Sequence, residues 1–202
     1  MRQHARLKRQ TGGHGQFADV TLEIEPRAAG EGFSFESRIV GGVVPKRFVP
    51  AVEEAAQDAL KKGPLGQPVV DVAVALVDGT FHSVDSSDMA FANATRMAMQ
   101  EGLAKAAPVL LEPIHHVSIF VPNGFTAAAQ RLLSERRGQI LGFSERDGWE
   151  GWDDVQALVP EADLYGMITE LRSMTMGLGS YLHRFDHLAE AQGAAALRAA
   201  AG

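Results

Sequence analysis

Three short stretches carry side chains suited to chemistry at a surface: Gly12-Gly13-His14-Gly15-Gln16, the single His82, and Asp85-Ser86-Ser87. Glycines at 12, 13 and 15 permit positive φ and let backbone come close to a bulky partner such as an RNA sugar-phosphate chain. A plain hairpin turn would explain the glycines equally well, but not the company of His14 and Gln16. Gln16 donates and accepts at once, which suits a base edge or a ribose hydroxyl. His82 follows a valine-rich segment and precedes a helix start, so it is expected to project from a loop at the same end as the glycine turn. A neutral imidazole there can hydrogen-bond to or stack on RNA, and amides near Ser86 and Ser87 can receive a phosphate. For Asp85 and Ser87 helix capping is the expected role, because a bare carboxylate would repel an approaching phosphate backbone.

The same residues admit a different chemistry. His14, His82 and Asp85 could meet in space as a metal or acid-base site of a small hydrolase, although the sequence shows neither a dry pocket nor a general-base partner for them. The other histidines do not help. Adjacent His115 and His116 in a strand point to opposite faces, and His183 and His187 in one strand stand about 13 Å apart, so neither pair chelates. No catalytic residue and no metal ligand is therefore assigned.

Composition narrows the classes further. The 202 residues are 46% hydrophobic, enough for two small domains with real cores. With no cysteine there is no disulfide framework and no thiolate metal site, which fits a reducing cytoplasm. The N-terminus lacks the apolar run of a secretion signal and no segment is long and apolar enough to span a bilayer, so a soluble, cytoplasmic and monomeric chain is expected. A net charge of −6 argues against a protein that coats nucleic acid nonspecifically. The distribution is uneven: Arg2, Arg6, Lys8 and Arg9 open the chain with no acid before residue 17, while Glu53, Glu54 and Asp58 cluster on a helix.

Periodicity and turn residues outline the strands and helices that hold these groups. Alternation from Val20 marks a strand at 17–25, closed by Pro26, and a second is expected at 32–40. Pro45 and Pro50 bracket the approach to a helix reaching Lys62, with Val52, Ala55, Ala56, Ala59 and Leu60 as its buried stripe. Residues 69–77 are rich in valine, as an inner strand is, and Asp78-Gly79 is expected to turn the chain. A long helix follows from the Ser86-Ser87-Asp88 start to Ala106, burying Met89, Phe91, Thr95, Ala98 and Gly102. Pro108 and Pro113 flank a short strand at 109–112. Thereafter a strand at 114–121, a helix from Thr126 to Arg137, strands at 139–145 and 153–159, a helix from Glu161 to Thr175 and a strand at 180–187 spell βαββαβ. That order is the ferredoxin-like sandwich, two helices on one antiparallel sheet. The expected fold is α+β in two sandwich domains, 1–111 and 112–188, with an alanine-rich tail at 189–202 that would be helical only if docked, the first domain being a candidate surface.

In a series of motifs the chain resembles domains IV and V of elongation factor G. Arg9-Gln10-Thr11-Gly12-Gly13-His14-Gly15-Gln16-Phe17, Gly41-Gly42-Val43-Val44-Pro45, Pro50-Ala51-Val52-Glu53, Gly63-Pro64-Leu65, Pro68-Val69-Val70-Asp71, His82-Ser83-Val84-Asp85-Ser86-Ser87 and Pro108-Val109-Leu110-Leu111-Glu112-Pro113 stand in the order of that family's domain IV. Arg136-Arg137-Gly138-Gln139-Ile140, Leu171-Arg172-Ser173-Met174-Thr175 and Gly179-Ser180-Tyr181 resemble domain V. The resemblance implies a ribosomal protein-like βαβ first domain with a left-handed crossover and a ferredoxin-like second. It also implies an arm whose tip, Gly12 to Gln16 with His82, enters the decoding region of the small ribosomal subunit as tRNA and mRNA translocate. Domain V would lie near large-subunit rRNA, where Arg136, Arg137 and Arg172 are candidate contacts, unless they are solvated or pair with helix ends. GTP and Mg would belong to a separate half of the parent, since no Gly-Lys-Ser/Thr phosphate loop occurs in this sequence. Recycling and ribosome-protection factors share these domains and remain alternatives. His14 stands where the family more often has Arg, Ala18-Asp19 replaces a Gly-His pair, and Asp147-Gly148-Trp149-Glu150-Gly151-Trp152-Asp153 departs from the standard factor, as in an elongation factor G-like paralogue.

Overall fold

The computed structural model describes residues 1–9 and 15–193 in two compact units, the first spanning Met1–Val109 and the second beginning at Leu110. In the first unit β1 (Arg2–Arg9), β2 (Gln16–Pro26), β3 (Ser34–Ser37) and β4 (Val72–Thr80) form one sheet in the order β1-β2-β4-β3, joined by α1 (Val49–Ala59) and α2 (Asp88–Lys105). Only β3 and β4 run parallel, and α1 lies between them in sequence. Period-two alternation sends Val20, Leu22, Ile24, Val74 and Leu76 to the face that the helices cover. There Phe91 of α2 stacks on Phe48 with ring centroids 4.7 Å apart, and Met99 and Val52 complete a fully buried layer.

Several sequence expectations are corrected by this unit. The basic N-terminal stretch forms a full strand, β1: Gln3, Ala5 and Leu7 are buried while Arg2, His4, Arg6 and Lys8 face water. The strand expected at 32–40 is four residues long. Helix α1 ends at Ala59, short of Lys62, after a 3-10 turn at Lys46–Phe48. Met89 is 65% exposed because the buried positions Ala90, Phe91, Ala94, Thr95, Ala98 and Gly102 leave it on the outer side of α2. Asp78-Gly79 does not turn the chain; β4 continues through Thr80, opposite Asp19 to Thr21, with a register shift next to Thr21. The glycine is needed for close approach instead. A Cβ at Gly79 would stand 2.3 Å from the Asp19 carbonyl oxygen and 2.7 Å from Val44 Cγ2.

In the second unit β5 (Leu111–Pro122), β6 (Gln139–Glu145), β7 (Trp152–Pro160) and β8 (Ser180–Glu190) form an antiparallel sheet in the order β6-β7-β5-β8. Helices α3 (Thr126–Glu135) and α4 (Met167–Met174) complete the βαββαβ order and bury Leu132, Leu133, Met167 and Leu171 against Val117, Ile119, Val155 and Ala157. This is the ferredoxin-like arrangement. The strands expected at 109–112 and 114–121 are one strand, which tolerates Pro113 because that residue lies beyond the end of β7, where β5 pairs with β8 alone. The helix expected from Glu161 to Thr175 is broken into a 3-10 turn, Glu161–Leu164, and α4, because Gly166 takes φ 75° between them. Strand β8 runs to Glu190, and the rest of the expected tail, 194–202, lies outside the described residues.

The Gly79 contact gives a direct test. Gly79→Ala should destabilise the chain by about 1–3 kcal/mol in urea unfolding, the usual cost of overpacking. Gly124→Ala, at a position with no atom within 4 Å of the added carbon, should cost far less. Equal effects would contradict the close-approach account.

Candidate functional site

Strand ends, a turn and a helix start gather at one end of the first unit. Arg9 and Gln16 pair at the turn end of the β1–β2 hairpin, and Thr80, the last residue of β4, pairs with Asp19 on the other side of β2. The loop from Phe81 to Ser87 then crosses toward β2 on its way to α2. Its place is fixed by three hydrogen bonds: Phe17 N–H donates to the Asp85 carbonyl (2.9 Å), Ser86 Oγ donates to the Phe17 carbonyl (2.7 Å), and His82 N–H donates to Ser86 Oγ (2.9 Å). His82 therefore sits beside the hairpin end, its side chain 54% exposed and its ring edge-on to Phe17 at 6.3 Å.

Each predicted residue now has a place. Gly15 and Gln16 are half-buried next to this loop, while Gly12, Gly13 and His14 lie outside the described residues. Ser87 is the N-cap of α2, its Oγ accepting from Ala90 N–H at 3.1 Å, the bond a capping serine makes. Ser86 serves the loop rather than the helix. Asp85 does not cap: its carboxylate lies against Gly15, where an added Cβ would be 2.7 Å from Cγ, and Oδ2 stands 3.3 Å from His82 Nδ1. The capping expectation for Asp85 is thus corrected, because it lies three residues before the first helical residue, Asp88, and Ser87 holds the N-cap position. Lys8 and Arg9, both exposed, add positive charge at the same end.

The enzyme reading keeps two of its three members within reach of each other, His82 and Asp85. Among the described residues no three His, Cys, Asp or Glu side chains converge to hold a metal. Two concavities of the unit, about 350 and 420 Å³, are lined by residues such as Glu36 and Arg38 or Val44 and Pro50, and neither includes His82 or Asp85.

In the second unit the three candidate arginines part company. Arg136 donates to the Asp163 and Tyr165 carbonyls (2.6 and 3.0 Å) and to Glu170 Oε2 (2.6 Å). Arg137 grips Glu112 through two bonds of 2.8 and 3.0 Å and Asp163 through a third of 2.7 Å. These bonds tie both guanidinium groups into the unit, with the Arg137 side chain still 39% exposed. Arg172 is exposed, with no ion pair among the described residues. Sequence reasoning missed Glu112 as the partner of Arg137, and it missed that His115 meets His183 on the neighbouring strand, Nδ1 to Nδ1 at 3.0 Å. The pairing of β5 with β8 brings the two histidines together, and the turn between α3 and β6 brings Arg137 to Glu112.

The Arg137 guanidinium holds the Glu112 carboxyl below its ordinary range, against a smaller opposing effect of burial. A folded-state pKa that is lowered contributes stability fully present above the unfolded value, about 4.3, and lost as pH falls through the folded value. Glu112→Gln should therefore cost about 1–2 kcal/mol at neutral pH, and the gap between parent and variant should close on acidification below that range. A gap that stays constant down to acid unfolding would contradict the ion-pair account.

Comparison with known proteins now fits this geometry. The family described as "Elongation factor G, domain IV" matches residues 1–107, and that described as "Elongation factor G C-terminus" matches residues 109–198. An elongation factor G-like protein of Synechocystis sp. is 52% identical over 187 residues, 93% of this chain and 28% of that protein. The elongation factor G of Dinoroseobacter shibae is 48% identical over 181 residues, 89% of this chain and 25% of that protein. A crystal structure of a protein from Thermus thermophilus superposes with a TM-score of 0.86 at 39% identity, covering 98% of this chain and 29% of that one. The chain thus spans little more than a quarter of the length of these relatives. It belongs to the elongation factor G family, of which it comprises domain IV and the C-terminal domain.

Proposed function

We propose that this chain is the ribosome-engaging part of a translational GTPase and promotes movement of tRNA and mRNA during elongation in the cytoplasm. The observation that carries the reading is the convergence of Gln16, His82 and the start of α2 at one exposed end, with Lys8 and Arg9 beside them. Donors without bulk suit a crowded RNA surface, and the adjacent cations favour a phosphate backbone. In this proposal Gly12, Gly13, His14, Gly15, Gln16, His82, Asp85, Ser86 and Ser87 make the tip, and Arg136, Arg137 and Arg172 are the candidates for large-subunit rRNA. The chain itself is not catalytic, and GTP with Mg binds elsewhere in the parent. No described helix is long and apolar enough to cross a membrane.

A paralogue role in recycling or ribosome protection is the second reading. It is favoured by the similarity to a relative named as an elongation factor G-like protein and by the divergent hairpin carrying Trp149 and Trp152. Single-round tRNA movement with the full-length parent separates the two, since a recycling or protection factor would leave pre-translocation complexes unmoved.

In that assay His82→Ala should slow tRNA movement at least tenfold while leaving ribosome-stimulated GTP hydrolysis nearly intact. Because the side chain is half in water, unfolding of the same variant should shift by no more than about 0.5 kcal/mol. Movement at the parental rate would make His82 a bystander.

A further inference from the structure

We infer that His82 is held by its own loop as the neutral tautomer with the proton on Nε2, so that it meets its partner as a hydrogen-bond donor, and that the Val84-Asp85 segment, seated against Gly15, positions it. This deepens the proposed function and rests on it for the identity of the partner: an RNA acceptor, meaning a phosphate or ribose oxygen or an unprotonated base atom.

Two backbone amides converge on Nδ1. Asp85 N–H points at it from 3.2 Å and Val84 N–H from 3.4 Å. Two donors aimed at one ring nitrogen require a lone pair there, which leaves the proton on the other nitrogen. One feature pulls the opposite way, for Asp85 Oδ2 is 3.3 Å from the same Nδ1 and would accept a proton placed on it. That arrangement would gain one bond to a half-buried carboxylate and would turn two amide hydrogens against an N–H. Two amides sharing the Nδ1 lone pair, neither of which tolerates a proton there, outweigh the single longer contact to Oδ2.

The segment that supplies those amides cannot drift, because the Asp85 carbonyl accepts from Phe17 N–H and Ser86 Oγ donates to the Phe17 carbonyl. It also needs the space above Gly15. A side chain there would begin 2.7 Å from the Asp85 carboxylate, so the missing Cβ at Gly15 and the orientation of His82 are parts of one arrangement. With Nδ1 occupied from inside, Nε2 is the ring atom left for a partner. A phosphate oxygen, a ribose oxygen and a purine ring nitrogen can all receive that proton, whereas a donor such as an exocyclic amine cannot.

Imidazole nitrogen spectra of the 15N-labelled 202-residue chain at a pH where His82 is neutral test the placement. The expected result is a single form, Nε2 protonated and Nδ1 not. Asp85→Asn, which keeps the backbone amide, should preserve it, while Gly15→Ala should relax it to the tautomer mixture of the urea-unfolded chain. A proton on Nδ1 in the parent, or the unfolded-state mixture there, overturns the inference. Binding to isolated small ribosomal subunits tests the donor. In His82→Gln the side-chain amide nitrogen reaches the place of Nε2, whereas in His82→Asn it stops near Nδ1. His82→Gln should stay within about threefold of the parent and His82→Asn should lose about tenfold, the worth of one hydrogen bond to a charged group. Equal losses overturn the donor role. If the parent itself does not bind, the ribosome reading fails, and the spectra still decide whether the loop sets the tautomer.

Discussion

One backbone hydrogen bond organises the exposed end of the first unit: Phe17 N–H to the Asp85 carbonyl. It joins the first residues of β2 to the loop before α2, which are 68 positions apart in sequence. Ser86 doubles the link through its hydroxyl, and Ser87 can then begin the helix as a cap. The Asp85 carboxylate occupies the volume that a side chain at position 15 would take, so such a side chain would push it aside. The glycine is therefore needed for the neighbour that packs over it, and its φ is not in the left-handed region. Where a helix cap, a strand start and a histidine share bonds in this way, displacement of one moves the others.

Electrostatics reinforce the polarity of that unit. The chain carries a net charge of −6, yet its outer sheet face changes sign along its length. Lys8 and Arg9 stand at the hairpin end, while Glu23, Glu25 and Glu36 line the opposite end with Arg38 among them. Between these, Arg6 and His4 are tied down by Asp19, which is buried at 4% exposure and accepts bonds of 2.6 and 2.9 Å from them. Asp19 removes part of the positive charge that β1 would otherwise present. The two exposed cations at the hairpin end favour an anionic partner there over the carboxylate-lined end.

How much of this was legible in the sequence depends on the range of the interaction. Period-two and helical spacing reveal local burial, which is why the βαββαβ order and the stripe of Val52, Ala55, Ala56 and Leu60 could be read directly. β1 carries a weaker form of the same signal, because only Ala5 and Leu7 of its buried positions are apolar and Gln3 is not. Gly79 looked like a turn because Asp-Gly usually is one; that a strand needed the missing Cβ depends on Asp19, 60 residues away. Arg137 shows the same limit. It takes φ 53° just past the end of α3, where glycine is the common choice, and its bonds to Glu112 and Asp163 offset that strain. The site was legible as a list of residues, but the bonds that orient them were not.

If the proposed function is right, the end bearing His82 is the face that meets ribosomal RNA. The chain contains no cysteine, so a single one can be placed in the full-length parent and used to tether an iron chelate for directed hydroxyl-radical cleavage. Val84, 71% exposed in the His82 loop, and Ala29, in the exposed turn after β2, are suitable positions. Strong cleavage of small-subunit rRNA around the decoding region is expected from position 84, and weak or no cleavage there from position 29. Equal cleavage from both positions, or cleavage of that region from position 29 alone, would contradict the assignment of this end to RNA.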